Sequence, residues 1–258
     1  MGKIIALHSY KGGTGKTLLS INLASTYVKR EKNICLLDLD FRAPSLQAAF
    51  KTNDAEYWLN DYLNGVCEID KVLIDFTQKH GRSGRFLVGL ANPTTEGIRE
   101  MSAKDRKWEM RALGRLLSLK TSLLNDMDLD YVILDTSPGL QYSSINAIVS
   151  ADIVLVVTSL DASDVQGTQR MTSELYDLFE KKTGILMNKV PAGILSSRKE
   201  REKFYKYFNN LHKLPILEAI SCSCDVLRAG GTCIFAEEKP EHSFTKAVEK
   251  IATKIERF

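Results

Sequence analysis

The sequence predicts an α/β fold, with a doubly wound, mostly parallel sheet and helices on both faces. Apolar runs alternate with helical patterns along most of the 258 residues. Each run is apolar at consecutive positions, as in strands that are covered on both sides. A glycine-rich loop joins the first run to the first helical pattern, so a ligand site is expected at the carboxyl ends of the strands.

The runs predicted to be strands are residues 3–8, 34–38, 85–90, 131–135, 153–157, 184–187 and 214–217. The first helix is predicted after the loop, from Leu18, and leucines between 113 and 124 mark a long second helix. Two more helices are predicted at 165–179 and 198–211. Because no linker interrupts this series, we expect one domain over residues 1–258.

Residues 51–84 are less regular than the rest of the chain. Aromatic and aliphatic side chains at 57–59 and 62–63 predict a short amphipathic helix, and 79–84 reads as a loop. We expect a surface insertion here, which favours contacts with a partner.

The composition of the chain argues against several classes of protein. Lys and Arg number 35 against 32 Asp and Glu, so the net charge of +3 does not by itself call for nucleic acid. Five cysteines in a chain of this length do not indicate a secreted disulfide framework. The first predicted strand begins at once, which leaves no room for a signal peptide, and no apolar run is long enough to span a bilayer. We therefore expect a cytoplasmic protein.

Residues 11–17 read Lys-Gly-Gly-Thr-Gly-Lys-Thr and follow the first predicted strand. Gly12, Gly13 and Gly15 allow successive amide groups to point into one hollow at the start of a helix, which binds phosphate. Lys16 can reach the β- and γ-phosphates, and the Thr17 hydroxyl can bind Mg²⁺.

The front of this loop departs from the standard phosphate-loop pattern. Tyr10 stands where that pattern has glycine, and Lys11 is an additional lysine. Lys11 is poorly placed to reach the phosphates bound by its own loop.

Carboxylates follow two of the predicted strands. Asp38 and Asp40 flank Leu39 at the end of one strand, and Asp135 ends another before a loop that contains Gly139. Carboxylates at this edge of the sheet can hold a magnesium-bound water or orient the water that attacks a γ-phosphate. Asp40 lies further into its loop and is better placed for the attacking water.

These motifs, at residues 11–17, 36–40 and 135–139, resemble the MinD/ParA family of deviant Walker A ATPases. That family is a branch of the P-loop proteins related to the nitrogenase iron protein, and the resemblance covers nearly the whole chain. It implies a P-loop NTPase fold and a homodimer that encloses two ATP molecules with Mg²⁺.

The family pattern implies roles for the matched residues. Lys11 would cross the dimer interface to the phosphates of the other subunit, whereas Lys16 and Thr17 would bind phosphate and Mg²⁺ within their own subunit. Asp40 matches the residue that supports hydrolysis, and Asp38 neighbours the metal and the water.

Further matches concern the metal and the base. Asp135 matches the residue that holds Mg²⁺ through water, Asn188 matches the residue that reads adenine, and 220–228 corresponds to the loop that covers the base. The nucleotide-binding residues implied in this way are Gly12, Gly13, Thr14, Gly15, Lys16, Thr17, Leu18 and Asn188.

Two positions depart from the family. Many relatives carry a hydroxyl residue where this chain has Leu18, so one contact to the α-phosphate is missing. The base-covering loop usually contains proline, but here it contains Cys222 and Cys224. These two thiols could also form half of a tetrahedral metal site that a second subunit completes.

Three hypotheses follow. The first is a Mg²⁺-dependent, MinD-like ATPase that dimerises with ATP and positions or regulates a protein partner. The second is a metallochaperone or cofactor-maturation ATPase that uses Cys222 and Cys224. The third is a ParA-like DNA-segregation ATPase, with the basic residues near 198–203 on DNA.

The C-terminal segment carries an apolar stripe with lysines and an arginine elsewhere on the same helix. A basic amphipathic helix can lie on a membrane surface, which would make the protein peripherally membrane-bound. We favour the alternative, in which the stripe packs on the sheet as the last helix of the fold. The stripe consists of Phe244, Ala247, Val248, Ile251 and Ile255.

Overall fold

A computed structural model describes residues 2–52, 55–77, 84–176, 179–191 and 193–258. In these residues one sheet contains eight strands, in the spatial order β3-β4-β2-β5-β1-β6-β7-β8. All neighbouring strands are parallel except β3 and β4. The strands are β1 Lys3–His8, β2 Ile34–Leu39, β3 Leu73–Asp75, β4 Phe86–Gly89, β5 Tyr131–Thr136, β6 Ile153–Thr158, β7 Lys182–Val190 and β8 Ile216–Ser221.

Helices cover both faces of this sheet, so the predicted fold class is confirmed. The helices of the described residues are α1 Lys16–Lys29, α2 Leu46–Phe50, α3 Leu59–Asn64, α4 Ile69–Val72, α5 Thr95–Ser102, α6 Arg106–Leu119, α7 Tyr142–Ser150, α8 Ala162–Met171, α9 Arg198–His212, α10 Cys224–Ala229, α11 Phe235–Glu238 and α12 Ser243–Arg257. Two of them continue as π-helix, α6 over Lys120–Asp126 and α8 over Thr172–Tyr176.

The core has two halves, one on each face of the sheet. Ile4 packs in the half that contains α6 and α7, whereas its neighbour Ile5 packs in the half that contains α1 and α12. Successive side chains of a strand point to opposite faces. Both faces of the central strands are therefore apolar, which explains the continuous apolar runs in the sequence.

The predicted surface insertion at 51–84 packs into the core instead. Leu59, Tyr62 and Leu63 share one face of α3, and all three are buried against the sheet and α6. The segment also supplies β3, which extends the sheet as an antiparallel edge. Apart from Gly84, the predicted loop at 79–84 lies outside the described residues.

The C-terminal stripe is buried, as the favoured interpretation predicts. Phe244, Val248, Ile251 and Ile255 pack on the sheet and α1 from their positions on α12. Within the described part of the chain, no helix is long and apolar enough to cross a membrane.

Candidate functional site

The loop between β1 and α1 borders a cavity of about 460 Å³ at the carboxyl edge of the sheet. Gly13 and Gly15 have φ angles of +75° and +98°, a region that favours glycine. A Cβ atom at Gly15 would also lie 2.4 Å from Nδ2 of Asn188. Gly15 directly precedes α1 and has no side chain to cap it, so the first-turn amide groups are available to an anion.

Lys16 supplies a buried positive charge beside this cavity. Its Nζ donates a hydrogen bond of 2.8 Å to Oγ of Ser9, which in turn donates to the carbonyl oxygen of Lys11 at 2.6 Å. Burial lowers the pKa of Lys16, while the nearby carboxylates of Asp135 and Asp40 oppose that shift. A buried ammonium group is suited to a charge-assisted hydrogen bond with phosphate. The role of Ser9 was missed because nothing in the sequence distinguishes it from other serines.

Asp135 and Thr17 fit the predicted magnesium site. Asp135 is fully buried, and its Oδ1 accepts a hydrogen bond of 3.1 Å from Ser20. Its Oδ2 has no hydrogen-bond partner among the described residues. Burial raises the pKa of Asp135 to about 6, although the Thr17 hydroxyl and Lys16 oppose the shift. A buried carboxylate oxygen of this kind, next to a hydroxyl, suits a divalent cation or its bound water.

Ser45 is a second residue that sequence reasoning missed. Its hydroxyl lies 3.4 Å from Oγ1 of Thr17, which brings the segment after β2 to the start of α1. The contact joins residues 28 positions apart, so it has no local signal in the sequence.

Asp38 organises the loop that follows β2. Its Oδ1 accepts the backbone N–H of Asp40 at 3.1 Å, and its Oδ2 accepts those of Ser45 and Leu46, each at 3.3 Å. These bonds account for a supporting role, and the predicted place of Asp38 beside metal and water stays a prediction.

Asp40 lines the cavity and is half-buried. Its Oδ1 accepts the hydroxyl of Ser137 at 2.8 Å and the backbone N–H of Ala43 at 3.2 Å. The loops after β2 and β5 are therefore linked through one carboxylate. That arrangement places an acceptor at the cavity, as the orientation of an attacking water requires.

Lys11 is turned away from its own cavity and onto α8. Its Nζ forms a 2.9 Å ion pair with Oδ1 of Asp161 and a hydrogen bond with the hydroxyl of Ser163. Both members of the ion pair are largely exposed, with side-chain exposures of 42% and 60%. Hydrogen bonds from Ser163 and then from Lys11 lower the pKa of Asp161. Asp161 also caps the start of α8 by accepting the N–H of Asp164.

Gly167 on α8 explains how this chain accommodates the bulky Tyr10 at the position where the phosphate-loop pattern has glycine. Its ring lies against α8 at Gly167, where an added Cβ atom would come within 2.0 Å of the ring. The missing side chain of Gly167 therefore provides the space for Tyr10.

His8 lies fully buried behind the loop. Burial and the charge of Lys16 lower the pKa of His8 to about 3. The hydroxyl of Thr136 donates to the carbonyl oxygen of Leu7 and lies 3.0 Å from Nδ1 of His8, which therefore donates to it. His8 is a neutral part of the support beneath the loop at physiological pH.

A second cavity, of about 200 Å³, adjoins the loop on the side of β7 and β8. Asn188 and Leu18 line it together with Ser221, Cys222 and other residues of the predicted base-covering loop. The structure thus brings together the residues implied for base binding. Asn188 itself donates its Nδ2–H to the carbonyl oxygen of Thr14 at 2.7 Å.

The cysteine pair belongs to this same region. Cys222 and Cys224 are both exposed free thiols, and Cys222 lines the smaller cavity. Among the residues that the structure describes, no group of three or more His, Cys, Asp or Glu side chains could hold a metal ion. A metal site shared between subunits stays a prediction.

The charged run considered for DNA binding begins α9. Arg198 forms an ion pair of 2.8 Å with Glu202, and Glu200 completes a capping box with Ser197. Basic and acidic groups are thus interspersed on this turn, which is typical of a solvated helix face.

The chain is similar to proteins of known name. A family model described as AAA domain (AAA_31) matches residues 2–187. The septum site-determining protein MinD of Thermotoga maritima is 24% identical over 259 residues, which cover 99% of this chain and 88% of that protein. The solved cell division ATPase MinD of Pyrococcus furiosus has a TM-score of 0.78 at 23% identity, and the match covers 100% of this chain and 99% of that chain. The solved MinD of Pyrococcus horikoshii complexed with Mg-ADP has a TM-score of 0.77 at 21% identity, and the match covers 100% of this chain and 97% of that chain.

Proposed function

Since the chain belongs to the MinD/ParA family of P-loop ATPases, we propose that it is a Mg²⁺-dependent ATPase that works as an ATP-driven dimerisation switch and regulates a protein partner. The main support is the convergence of the glycine loop, Lys16, Asp40 and Thr17 on one cavity of about 460 Å³. The solved MinD of P. horikoshii carries Mg-ADP, which supports the choice of nucleotide and metal.

In the proposed reaction, water attacks the γ-phosphorus of ATP and the bond to the β–γ bridging oxygen breaks, which yields ADP and phosphate. Lys16 binds the β- and γ-phosphates, and Asp40 orients the attacking water. Bound Mg²⁺ would neutralise charge on the phosphates, with Thr17 as a ligand and Asp135 holding one of its waters. Asp38 and Ser137 keep Asp40 in place through the hydrogen bonds described above.

The proposed dimer depends on Lys11. In the single chain this lysine is bound by Asp161 and Ser163. These contacts are exposed to water, so they contribute little free energy. The γ-phosphate in a second subunit carries more charge and accepts charge-assisted hydrogen bonds. ATP would therefore favour the dimer, and hydrolysis would remove that preference.

The test is the oligomeric state measured by light scattering with ATP and with ADP. Lys11→Ala is expected to bind nucleotide but to stay monomeric with ATP. Lys32→Ala is a matched control, because Lys32 has the same side-chain exposure of 42% and also pairs with an aspartate, Asp130. Normal ATP-dependent dimerisation of Lys11→Ala would overturn the switch.

Asp40→Ala provides the complementary variant and a route to the partner. It is expected to bind ATP, hydrolyse it slowly and remain dimeric. A pull-down with this variant would identify proteins that recognise the ATP-bound dimer. Hydrolysis at the wild-type rate would show that another residue orients the water.

A further inference from the structure

A separate cavity of about 400 Å³ lies at the amino edge of the sheet, opposite the phosphate loop. Strands β1, β6 and β7 begin beside this amino-edge cavity, at Lys3, Ile153 and Lys182. Strand β1 has six residues, so about 20 Å of strand separates the cavity from the loop. The proposed reaction makes no use of it.

The charged residues that line the amino-edge cavity carry a surplus of positive charge. Four lysines stand against two acidic residues, namely Lys3, Lys120, Lys181 and Lys182 against Asp152 and Glu180. One of the two carboxyl groups is already engaged within the fold. Asp152 accepts the backbone N–H of Ile4 at 2.8 Å and forms an ion pair with Lys120. An anion is therefore the ligand that this lining favours.

Two of these lysines have no carboxylate partner among the residues that the structure describes. The half-buried side chain of Lys3 makes no hydrogen bond or ion pair there. Lys181 donates to the carbonyl oxygens of Val149 and Ala151 at the end of α7, each at 2.8 Å. Burial and the nearby charge of Lys120 lower the pKa of Lys181. A bound anion would compensate both ammonium groups.

Much of the remaining lining is apolar. Leu124, Ala151 and Ile153 contribute to it, and all three are buried. The methylene stems of the lysines can add further apolar surface. Leu124 belongs to the π-helical segment Lys120–Asp126, and such segments occur frequently at functional sites. The lining as a whole thus suits a ligand that combines an apolar body with an acidic group.

We propose that the amino-edge cavity is a second ligand site, which binds a small organic anion with an apolar body and one carboxylate, sulfonate or phosphate group. The ammonium group of Lys3 pairs with the acidic group, and Leu124 and Ile153 contact the apolar body. The proposal does not depend on the ATPase function, because the two sites lie at opposite edges of the sheet.

The probe for this site is naphthalene-2-sulfonate, measured by equilibrium dialysis with and without saturating ADP and Mg²⁺. The wild type is expected to bind about one equivalent, with a dissociation constant of about 1 mM or lower. The neutral naphthalene-2-methanol is expected to bind at least about 5-fold more weakly, because it cannot pair with an ammonium group. Equal affinity for the two probes would overturn the preference for an anion. Displacement of the sulfonate by ADP would place it in the nucleotide site and overturn the proposal.

Two substitutions in the lining should change the affinity in opposite directions. Lys3→Met keeps the stem but removes the charge, and it is expected to weaken sulfonate binding by about 3- to 10-fold without affecting the neutral probe. Glu180→Gln removes a negative charge at nearly constant shape, and it is expected to strengthen sulfonate binding by about 2- to 5-fold.

Matched controls lie at the same edge of the sheet, outside the lining. Lys32→Met is the control for Lys3→Met, because Lys32 lies just before β2. Glu31→Gln is the control for Glu180→Gln, since both glutamates are exposed and have left-handed φ angles, +60° and +47°. Both controls should bind the sulfonate like the wild type.

The variants decide whether the sulfonate occupies this cavity. Unchanged affinity in Lys3→Met would overturn the proposal, as would a wild type that binds no sulfonate. Weaker binding in Glu180→Gln would also contradict it, because removal of a carboxylate cannot disfavour an anion beside it. Each of these failures leaves the ATPase proposal untouched, since the measurement involves no hydrolysis.

Discussion

Asp38 and Asp135 are register partners on the adjacent strands β2 and β5, and both carboxyl groups are buried. Burial raises the pKa of Asp38 well above its usual range, and the neighbouring Asp135 raises it further. Two like charges side by side in the interior oppose folding when both are ionised. The same arrangement would favour a cation, so the proposed magnesium site would lower the stability of the protein without its metal.

The first prediction concerns pH and Asp135. Its pKa in the folded protein is about 6, above the usual 3.8, so the folded state binds this proton more tightly than the unfolded state. Its contribution to stability is full below pH 3.8 and is lost as pH rises through about 6. Asp135→Asn is therefore expected to raise the free energy of unfolding of the empty protein at pH 7.5 by about 1–3 kcal/mol.

Urea denaturation between pH 5 and 8, with chelator and without nucleotide, measures this effect. The increase in the free energy of unfolding that Asp135→Asn causes should become smaller as pH falls below 6. Asp128→Asn is the control, because Asp128 is exposed and its left-handed φ of +55° suits asparagine. A gain that is the same at every pH would contradict the assigned cause.

The second prediction concerns the ion pair between Lys11 and Asp161. Asp161→Asn keeps an N-cap acceptor for α8 but removes the charge that holds Lys11. With ATP, this variant is expected to dimerise at about 2- to 5-fold lower protein concentration, a small change because the pair is exposed. Sedimentation velocity over a dilution series measures it. Weaker dimerisation would instead indicate that Asp161 takes part in the dimer itself.

The third prediction uses the two exposed cysteines as reporters. Cys222 lines the smaller cavity, whereas Cys224 is exposed without belonging to its lining. In the Cys224→Ser variant, ADP with Mg²⁺ is expected to slow alkylation of Cys222 by iodoacetamide at least about 5-fold, since a bound ligand excludes solvent from most of its pocket. In Cys222→Ser, the rate at Cys224 should change much less. Mass spectrometry follows both reactions, and equal protection of the two thiols would place the base elsewhere.

The fourth prediction concerns the C-terminal helix. Ile251 on α12 is 1% exposed and belongs to the core that α1 and the sheet share. Ile251→Ala is expected to lower the free energy of unfolding by about 2–4 kcal/mol through lost burial and a cavity. The control is Lys250→Ala at the exposed neighbouring position, whose free energy of unfolding is expected to stay within about 0.5 kcal/mol of the wild type. Chemical denaturation decides between this core role and a stripe that is free for a membrane.

The sequence predicted the features whose residues lie next to one another in the chain. The run at 131–135 predicts a buried strand because every side chain in it is apolar until Asp135, and the structure has β5 at Tyr131–Thr136. The glycine loop is equally local, since its bend, its lysine and its hydroxyl lie within seven residues. Strands and loop together determined the fold class and the edge of the sheet at which the site lies.

The contacts that the sequence did not predict join distant residues. Asp161 lies 150 positions after Lys11, and Lys189 lies 176 positions after the loop carbonyl that it binds. Strand β3 has only three residues, and its antiparallel pairing depends on where β4 lies rather than on its own pattern. Such contacts follow from tertiary structure, which periodicity and spacing do not encode.

The fit between Tyr10 and Gly167 has an evolutionary consequence. A homologue with glycine at position 10 can carry a larger helix-forming residue at position 167. An aromatic ring at position 10, in contrast, requires glycine at position 167. The two sites should therefore change together during divergence. We expect a substitution at one of them alone to lower stability, through a clash with the ring or through loss of its packing, even though neither residue takes part in the proposed reaction.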